Sequence, residues 1–277
     1  MNASRIAVIG AGKMGQALIA GWLSSDVQPA AAIGPANICA VNPGAETRAY
    51  VQETYGVSCL EDASQLGAAD LVVLAVKPQV MPTVLQTIAA NGALVESAPL
   101  YVSIAAGIST KTIEDALGGQ VHVVRVMPNT PLMVGAGASG VCAGAHATDE
   151  EVSYVRDLLA CMGCAEVVDE ADMDAVCAVS GSGPAYVDAL IEAMRDGGVA
   201  CGLDAALAEK LAVQTVYGAA KLILDTGTSP KDARLAVCSP GGTTLAGLDA
   251  MRKAGFTEAV VAGVSAADTR SKELGAC

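Results

Sequence analysis

A glycine-rich segment near the amino terminus constrains the fold of this chain more than any other feature. An apolar run at Ile6–Ile9 predicts a buried strand, and Gly10, Gly12 and Gly15 follow at the spacing GxGxxG before a helical pattern begins. In this context the glycines permit a tight turn, a close approach of the backbone to a pyrophosphate, and close helix–strand packing. The helix N-terminus would present free N–H groups to the anion. The segment predicts a dinucleotide-binding βαβ unit, and the alternative is a glycine-rich turn without a ligand.

The first part of the chain alternates short apolar runs with helical patterns. Near-continuous runs of valine, isoleucine, leucine and alanine are typical of parallel strands that are covered on both faces. We therefore predict an α/β domain with a Rossmann-type doubly wound parallel sheet over residues 1–168. Its predicted strands are Ile6–Ile9, Ile38–Val41, Leu71–Val76, Tyr101–Ala105, Val121–Met127, Ser139–Ala143 and Glu166–Val168. Its predicted helices are Met14–Leu23, Glu46–Tyr55, Met81–Ala90, Ser109–Leu117 and Glu150–Met162, the last begun by a capping box at Thr148–Glu151.

The remainder of the chain, residues 169–277, is rich in alanine and carries helical patterns without further strands. We predict an all-α domain there, whose small side chains suit close contact between helices. Two segments rich in glycine, serine and proline interrupt it, at Ser180–Pro184 and Ser239–Thr244. The predicted helices are Asp172–Val179, Ala185–Cys201, Ala205–Asp225, Pro230–Val237, Thr243–Ala254 and Thr257–Leu274.

The charge balance excludes several classes of partner. Lysine and arginine number 16 against 29 aspartate and glutamate residues, for a net charge of −13. A nucleic acid or an anionic membrane surface would require a basic patch, so we predict neither as a partner. No run reaches the roughly 20 apolar residues of a membrane span, and we predict no targeting segment. We therefore expect a cytoplasmic protein.

The cysteines agree with a reducing compartment. There are 9, scattered through the chain, which is typical of reduced thiols rather than of a disulfide framework. Cys161 and Cys164 form a CxxC pair, but neither a second pair nor a nearby histidine completes a set of metal ligands. We therefore predict no metal site.

The residue after the second predicted strand bears on the choice of dinucleotide. An aspartate or glutamate there would bind the ribose hydroxyls of NAD and repel a 2′-phosphate. The chain has the uncharged Asn42, with Arg48 one or two turns further on, whereas Asp26 lies too early in the sequence. This favours NADPH, with NADH as the alternative, although Arg48 also fits a solvated position on a helix.

Few residues are suited to act as a strong general acid or base. The histidines are His122, within a predicted strand, and His146, in a polar turn. No lysine follows Ser180–Tyr186 on the same helical face, since the next basic residue is Arg195. This disfavours a hydroxyacid dehydrogenase. It favours hydride addition to an electrophilic C=N group, for which the site must mainly orient the substrate.

The loop Ser239–Gly242 supplies parts for such a site. Its backbone N–H groups can form a nest for a carboxylate, and Thr243 and Thr244 begin a helix whose N-terminus adds positive potential. A threonine hydroxyl there can hydrogen-bond an imine nitrogen. The alternative is a helix-capping turn with a threonine as the N-cap residue.

Eight motifs together resemble those of the pyrroline-5-carboxylate reductase family. They occur in the order of the family and span nearly the whole chain, and SGSGPAY with SPGGTT is far more specific than GxGxxG. The motifs are Ile9–Met14 (IGAGKM), Ala75–Pro78 (AVKP), Ala105–Gly107 (AAG), Arg125–Pro131 (RVMPNTP), Ser180–Tyr186 (SGSGPAY), Asp196–Gly198 (DGG), Ser239–Thr244 (SPGGTT) and Arg270–Leu274 (RSKEL).

The resemblance implies an NAD(P)H-dependent oxidoreductase that reduces 1-pyrroline-5-carboxylate to L-proline, the last step of proline biosynthesis. It also implies a homodimer whose helical domains interlock, with the active site at the dimer interface. A decamer, built as a ring of dimers, is the higher assembly that it suggests.

The resemblance also assigns roles to individual residues. Thr244 would hydrogen-bond the ring nitrogen of the substrate and is the candidate catalytic residue. Glu170 would lie beside the substrate at the domain junction. The substrate carboxylate would be bound by Ser239, Gly241, Gly242 and Thr243. The cofactor would be bound by Gly10, Ala11, Gly12, Lys13, Met14, Gly15, Asn42, Asp62, Val76, Lys77, Pro78, Ala105, Ala106 and Asn129.

Three residues leave alternatives open. Asp62 stands where family members often carry asparagine, which weakens the case for NADPH. Lys77 also fits the end of a strand, and Arg125 also fits an ion pair with an acidic residue. The competing hypotheses are another Rossmann dehydrogenase and a dinucleotide sensor without catalysis. The missing catalytic lysine or histidine opposes the first, and the intact Ser239–Thr244 loop opposes the second.

Overall fold

Within residues 3–275, which the computed structural model describes, eight strands form one sheet. They are β1 Ile6–Ile9, β2 Ile38–Val41, β3 Ser58–Leu60, β4 Leu71–Leu74, β5 Leu100–Ser103, β6 Val123–Met127, β7 Gly137–Ala143 and β8 Gly163–Val167. Their order across the sheet is β3-β2-β1-β4-β5-β6-β7-β8. The doubly wound sheet predicted from the sequence is confirmed.

One part of the predicted sheet is not parallel. Strands β1 to β6 run parallel to one another. Strand β7 pairs antiparallel with β6, and β8 is parallel to β7. The cause is the connection between β6 and β7, residues 128–136. It is shorter than the dozen or so residues that a crossover between parallel strands requires. The predicted parallel sheet is therefore found with one exception, the antiparallel pair of β6 and β7.

The helices follow the predicted pattern closely. They are α1 Lys13–Ser24, α2 Ala45–Tyr55, α3 Met81–Ala89, α4 Gly92–Ser97, α5 Thr110–Leu117, α6 Asp149–Ala160, α7 Met173–Val176, α8 Gly183–Ala200, α9 Ala205–Thr226, α10 Pro230–Ala236, α11 Thr243–Lys253 and α12 Phe256–Gly275. A π-helical turn, Cys177–Gly181, follows α7. The predicted capping box is present, since the Thr148 and Glu151 side chains each pair with the other's backbone N–H. Of the strands and α-helices named here, β3, with three residues, and α4, with six, lack a predicted counterpart.

Two apolar clusters cover the two faces of the sheet. Alternate residues of β1 point to opposite faces, so that Val8 joins one cluster and Ile9 the other. Trp22 on α1 is buried in the first cluster, and its indole N–H donates to the Leu158 carbonyl at 3.2 Å. Burial on both faces explains why the central strands consist of valine, isoleucine, leucine and alanine.

The chain divides into two compact units. The first comprises the residues up to Gly181 together with those from Ala267 onward, and the second comprises Ser182–Ala266. The domain boundary predicted after residue 168 stays a prediction: it lies one residue beyond the end of β8, whereas the first unit continues through α7 and the π-helical turn. In the second unit α8 and α9 pack tightly: a Cβ added to Gly198 would lie 3.1 Å from the Ala208 Cβ.

Candidate active site

The carboxyl ends of the parallel strands bring most of the predicted cofactor residues to one edge of the sheet. The order of the strands reverses between β1 and β4, since β1 also pairs with β2 and β4 with β5. Such a switch point leaves a crevice for a ligand outside the strand ends. Gly10 directly follows β1, Asn42 follows β2, and Ala75 follows β4.

Steric contacts explain why two of the three glycines in the loop after β1 cannot be replaced by a larger residue without a clash. Gly10 has φ +102°, and a Cβ added there would lie 2.7 Å from the carbonyl carbon and oxygen of Ala75. A Cβ on Gly15 would overlap the Gly10 carbonyl oxygen. A Cβ on Gly12, by contrast, would meet no atom within 4 Å among the described residues. The loop is therefore tight against the strands and open on the side of Gly12.

The N-terminus of α1 retains free N–H groups. Gly12 is its N-cap residue, and within residues 3–275 no side chain caps it. Lys13 and Met14 begin the helix, whereas the Gly10 and Ala11 N–H groups both donate to the Val41 carbonyl, at 2.9 and 3.1 Å. Uncapped N–H groups and open space at Gly12 fit a dinucleotide pyrophosphate.

Arg48 folds back onto the segment that follows β2. Its Nη1 donates to the carbonyl oxygens of Asn42 at 3.0 Å and Pro43 at 2.7 Å, and Nη2 lies 3.7 Å from Glu61 Oε2. Only 23% of the Arg48 side chain is exposed. The guanidinium is therefore anchored beside Asn42 and is not a freely solvated group on α2. This position fits a 2′-phosphate on the adenosine ribose.

Asp62 caps the short 3₁₀-helix Ala63–Gln65. Its carboxylate accepts the Ser64 N–H at 2.9 Å. The hydrogen bonds from Ser64 lower the pKa of Asp62, so the exposed carboxylate is charged at neutral pH. The capping role gives a local reason for an aspartate at this position, and binding of the cofactor by Asp62 stays a prediction.

The segments after β4 and β5 each begin with a backbone hydrogen bond to the end of the neighbouring strand. The Ala75 N–H donates to the Ile9 carbonyl at 2.8 Å, and the Ile104 N–H donates to the Leu74 carbonyl at 3.1 Å. Val76 contacts the Gly10 region, since a Cβ on Gly10 would lie 2.9 Å from its Cγ1. The predicted cofactor residues of these segments are Val76, Lys77, Pro78, Ala105 and Ala106, of which Ala105 is buried.

Asn129 is buried just beyond β6 and is engaged by the protein itself. Its Nδ2 donates to the Ser180 carbonyl at 3.0 Å, and its Oδ1 accepts the Ala138 N–H at 2.9 Å. The side chain thus joins the end of β6 to β7 and to the π-helical turn. Binding of the cofactor by Asn129 stays a prediction.

Glu170 binds two buried polar residues, Thr110 at the start of α5 and Arg125 on β6. Its carboxylate accepts the Thr110 backbone N–H at 2.8 Å and the Thr110 hydroxyl at 2.7 Å. Arg125 Nη1 lies 3.3 Å from the same carboxylate, and only 9% of the Arg125 side chain is exposed. The proposed pairing of Arg125 with an acid is therefore confirmed. Sequence reasoning missed Thr110, although its place at the start of a predicted helix marks it as a source of free N–H groups.

The loop before α11 presents an uncapped helix N-terminus. Gly242 is the N-cap residue and donates its N–H to the Ser239 carbonyl at 2.9 Å, while Gly241 has φ +72°. Within the described chain no side chain caps this helix. The alternative of a threonine N-cap is therefore wrong, because Thr243 and Thr244 are the first two helical residues. The N-terminus of α11 therefore fits an anionic ligand, and binding of the substrate there stays a prediction.

The comparisons with known proteins agree with this arrangement. A sequence model described as "Pyrroline-5-carboxylate reductase dimerisation" matches residues 170–274. One described as "NADP oxidoreductase coenzyme F420-dependent" matches residues 5–107. The pyrroline-5-carboxylate reductase of Pseudomonas aeruginosa is 42% identical over 276 residues, which cover 99% of this chain and 98% of that protein. The chain belongs to the pyrroline-5-carboxylate reductase family.

Solved structures of the family have the same fold. The Coxiella burnetii pyrroline-5-carboxylate reductase superposes with a TM-score of 0.89 at 33% identity, and 99% of each chain is covered. The Plasmodium falciparum pyrroline carboxylate reductase, solved with NADP bound, gives a TM-score of 0.85 at 30% identity over 99% of each chain. The predictions of an NADP-dependent oxidoreductase of this family, with a Rossmann-type domain and a helical dimerisation domain, are therefore confirmed.

Neither histidine of this family member is placed for proton transfer at the crevice. His122 lies just before β6, and its Nδ1 is 2.8 Å from Glu151 Oε2. Burial alone would raise the pKa of Glu151, but hydrogen bonds from Thr148 and His122 lower it overall. His146 is exposed in a turn. His122 therefore pairs within the fold, and His146 lies at the surface.

The cysteines that the structure describes form no disulfide bond. Eight cysteines are free, and Cys277 lies outside the described residues. In the described part of the chain no group of three or more histidine, cysteine, aspartate or glutamate residues could hold a metal ion. No helix of residues 3–275 has the length and apolar character to cross a membrane.

Proposed function

We propose that the chain reduces 1-pyrroline-5-carboxylate to L-proline in the cytoplasm, with NADPH as the preferred reductant. The observation that carries the proposal is the uncapped N-terminus of α11 behind the Ser239–Gly242 turn, in a chain of this family. A carboxylate is the type of group that such a terminus binds. The free thiols of the described cysteines support a reducing compartment.

The reaction adds a hydride to the carbon of an imine whose nitrogen has already taken up a proton from water, and it leaves a secondary amine. Bound NADPH supplies the hydride. Ser239, Gly241, Gly242 and Thr243 would hold the carboxylate, and Thr244 would hydrogen-bond the ring nitrogen and orient the C=N group. Orientation is the main demand on the protein, because a protonated imine accepts a hydride without a strong base.

The geometry at the strand ends supports the cofactor assignments that the family resemblance implies. The uncapped N-terminus of α1 would hold the pyrophosphate through N–H groups of Gly12, Lys13 and Met14. Asn42 and Asp62 would bind the adenosine end, and Arg48 favours a 2′-phosphate there. Val76, Lys77 and Pro78 would line the cofactor after β4. Ala105 and Ala106 would lie on the nicotinamide side with Asn129 close by, and Glu170 is retained as a candidate beside the substrate.

The helical domain supports a homodimer with interlocked helices. Large apolar side chains are exposed on α9 and α12, with Leu224 82% and Val261 59% exposed. A soluble domain buries such a surface against a partner, and the sequence model matched by this region is named for dimerisation. We further propose a decamer built from these dimers. Light scattering on purified protein measures the mass directly, and a monomer would contradict both assemblies.

The decisive experiment follows the loss of absorbance of reduced nicotinamide with 1-pyrroline-5-carboxylate as substrate. Parallel assays use NADPH and NADH, and L-proline is identified as the product by mass spectrometry. We expect turnover with both and a higher kcat/KM with NADPH. Absence of turnover in folded protein that binds NADPH would contradict the proposed function, and a higher kcat/KM with NADH would contradict the cofactor preference alone.

A further inference from the structure

The RSKEL motif, Arg270–Leu274, has no role in the site described so far. It lies in the last turns of α12, in the part of that helix that belongs to the first unit. Its serine is buried among polar contacts: Ser271 is 6% exposed, and its Oγ donates to Asp174 Oδ1 at 2.6 Å. This bond fixes the end of α12 to α7.

The same turn contacts the loop that follows β5. A Cβ added to Gly107 would lie 3.3 Å from both the Gly275 nitrogen and the Leu274 carbonyl carbon. In the other direction, a Cβ on Gly275 would lie 3.2 Å from the Gly107 carbonyl oxygen. Backbone therefore meets backbone, and Gly107 has φ +73°, a conformation that favours glycine.

Gly107 directly follows Ala105 and Ala106, and Thr110 begins α5 three residues later. The loop is held at its far end by the two hydrogen bonds from Thr110 to Glu170. The contact with α12 thus supports the middle of a loop whose two ends are already fixed, at β5 and at α5. A shift of this turn would move the two alanines.

We propose that the last turn of α12 is a positioning element for hydride transfer. Ser271, held by Asp174, keeps the backbone of Leu274 and Gly275 against Gly107, and this contact sets the position of Ala105 and Ala106. The inference rests on the proposed function, in which these two alanines line the nicotinamide. Ser271 and Asp174 are positioning residues, since they act through the loop. Small displacements of a bound reactant are costly to a hydride transfer because the reacting atoms must be aligned.

The test uses four variants of the full-length chain. Ser271→Ala and Asp174→Ala remove the hydrogen bond, whereas Asp174→Asn retains an oxygen that accepts it. Lys272→Ala is the matched control, because Lys272 lies on the same turn and pairs with Asp268 at the surface. Each variant is assayed for kcat, for KM of NADPH and substrate, for the primary isotope effect with deuterated NADPH, and for thermal unfolding.

We expect Ser271→Ala and Asp174→Ala to lower kcat about tenfold. Both KM values should stay within about twofold of the unmodified chain, and the isotope effect should rise because hydride transfer becomes slower relative to other steps. Asp174→Asn and Lys272→Ala should retain the original kcat. A lower unfolding temperature with unchanged kcat and isotope effect would overturn the inference and leave a purely structural contact.

A fifth variant, Ala106→Leu, separates this inference from the proposed function. If the loop lines the nicotinamide, the larger side chain raises KM for NADPH or lowers kcat. Loss of activity in Ala106→Leu with normal kinetics in Ser271→Ala and Asp174→Ala would overturn the positioning role alone. Normal kinetics in Ala106→Leu would overturn the placement of the nicotinamide, and with it the inference. Absence of turnover in the unmodified chain would overturn the proposed function itself.

Discussion

The carboxylate of Glu170 binds both the backbone N–H and the hydroxyl of Thr110, across 60 residues of sequence. It thereby satisfies an N–H group at the start of α5, where the helix dipole favours a negative charge. The same carboxylate is 3.3 Å from Arg125 on β6. One residue therefore joins the end of the sheet, the loop after β5 and the segment that leads into the helical domain.

Removal of this carboxylate should destabilise the protein. We expect Glu170→Ala to lower the free energy of unfolding by about 2 kcal/mol, because it leaves a buried guanidinium and a helix N–H without their partner. Glu170→Gln, which retains one acceptor, should cost about 1 kcal/mol. Urea unfolding measures both, with the exposed Glu53→Gln as control. Equal stability of Glu170→Ala and the control would contradict this role of Glu170.

Gly15 and Gly12 should respond differently to alanine. Gly15→Ala forces a Cβ onto the Gly10 carbonyl oxygen, so we expect about 1–3 kcal/mol of lost stability and weaker binding of NADPH. Gly12→Ala meets open space, so the protein should keep its stability and yet bind NADPH about tenfold more weakly, because the methyl group faces the pyrophosphate. Cofactor fluorescence titration and thermal unfolding measure the two effects. Unchanged affinity in Gly12→Ala would contradict the predicted binding site.

Arg48 should discriminate between the two reduced cofactors. We expect Arg48→Ala to raise KM for NADPH about tenfold, since a charge-assisted bond to phosphate contributes roughly 1.5–3 kcal/mol. KM for NADH should stay within about twofold, because NADH lacks the 2′-phosphate. Arg156→Ala, on α6, provides a control of equal charge. A parallel loss with both cofactors would mean that Arg48 acts only through the fold of the loop after β2.

Substitution of Thr244 should lower turnover without changing the affinity for the cofactor. We expect Thr244→Ala to lower kcat about 100-fold, the usual effect of removing one oriented donor, with unchanged affinity for NADPH. Thr244→Ser retains the hydroxyl and should recover most of the activity. Stopped-flow kinetics and a binding titration distinguish the two parameters. Unchanged turnover in Thr244→Ala would remove the residue from the mechanism.

Asp70 should make the stability of the protein depend on acidic pH. The Arg5 guanidinium, which outweighs the opposing effect of burial, lowers the pKa of Asp70 to about 2, against about 3.9 in an unfolded chain. A depressed carboxyl pKa stabilises the fold above the unfolded pKa, and this contribution is lost as the pH falls from about 4 to about 2.

The variant Asp70→Asn tests that dependence. It should be about 1 kcal/mol less stable than the unmodified protein at pH 7, because solvent screens a partly exposed pair. The difference should shrink in urea unfolding at pH 4 and shrink further at pH 3. If the difference in stability did not change with pH, the substitution would act by disturbing the packing at Ser4 and Arg5 and not by removing the charge.

Several features of this protein could be predicted from the sequence because they depend on neighbouring residues. The limits of β1 and β2 and the capping box at Thr148 and Glu151 all agree with the structure. So does the glycine loop, because a turn with φ +102° at Gly10 is open to glycine at little cost. Hydrophobic periodicity and local capping carry this information without reference to the rest of the chain.

Other features depend on which distant segments meet, and only the tertiary structure decided them. The Glu170–Thr110 bonds and the Ser271–Asp174 bond require partners that folding brings together across 60 and 97 residues of sequence. The sequence gives the type of each polar residue but not its hydrogen-bond partner. The partner depends on the packing of the apolar core, which brings distant backbone segments into contact. The sequence by itself therefore determined the family, the nucleotide fold and the local turns, whereas tertiary packing determined which of the polar residues work together.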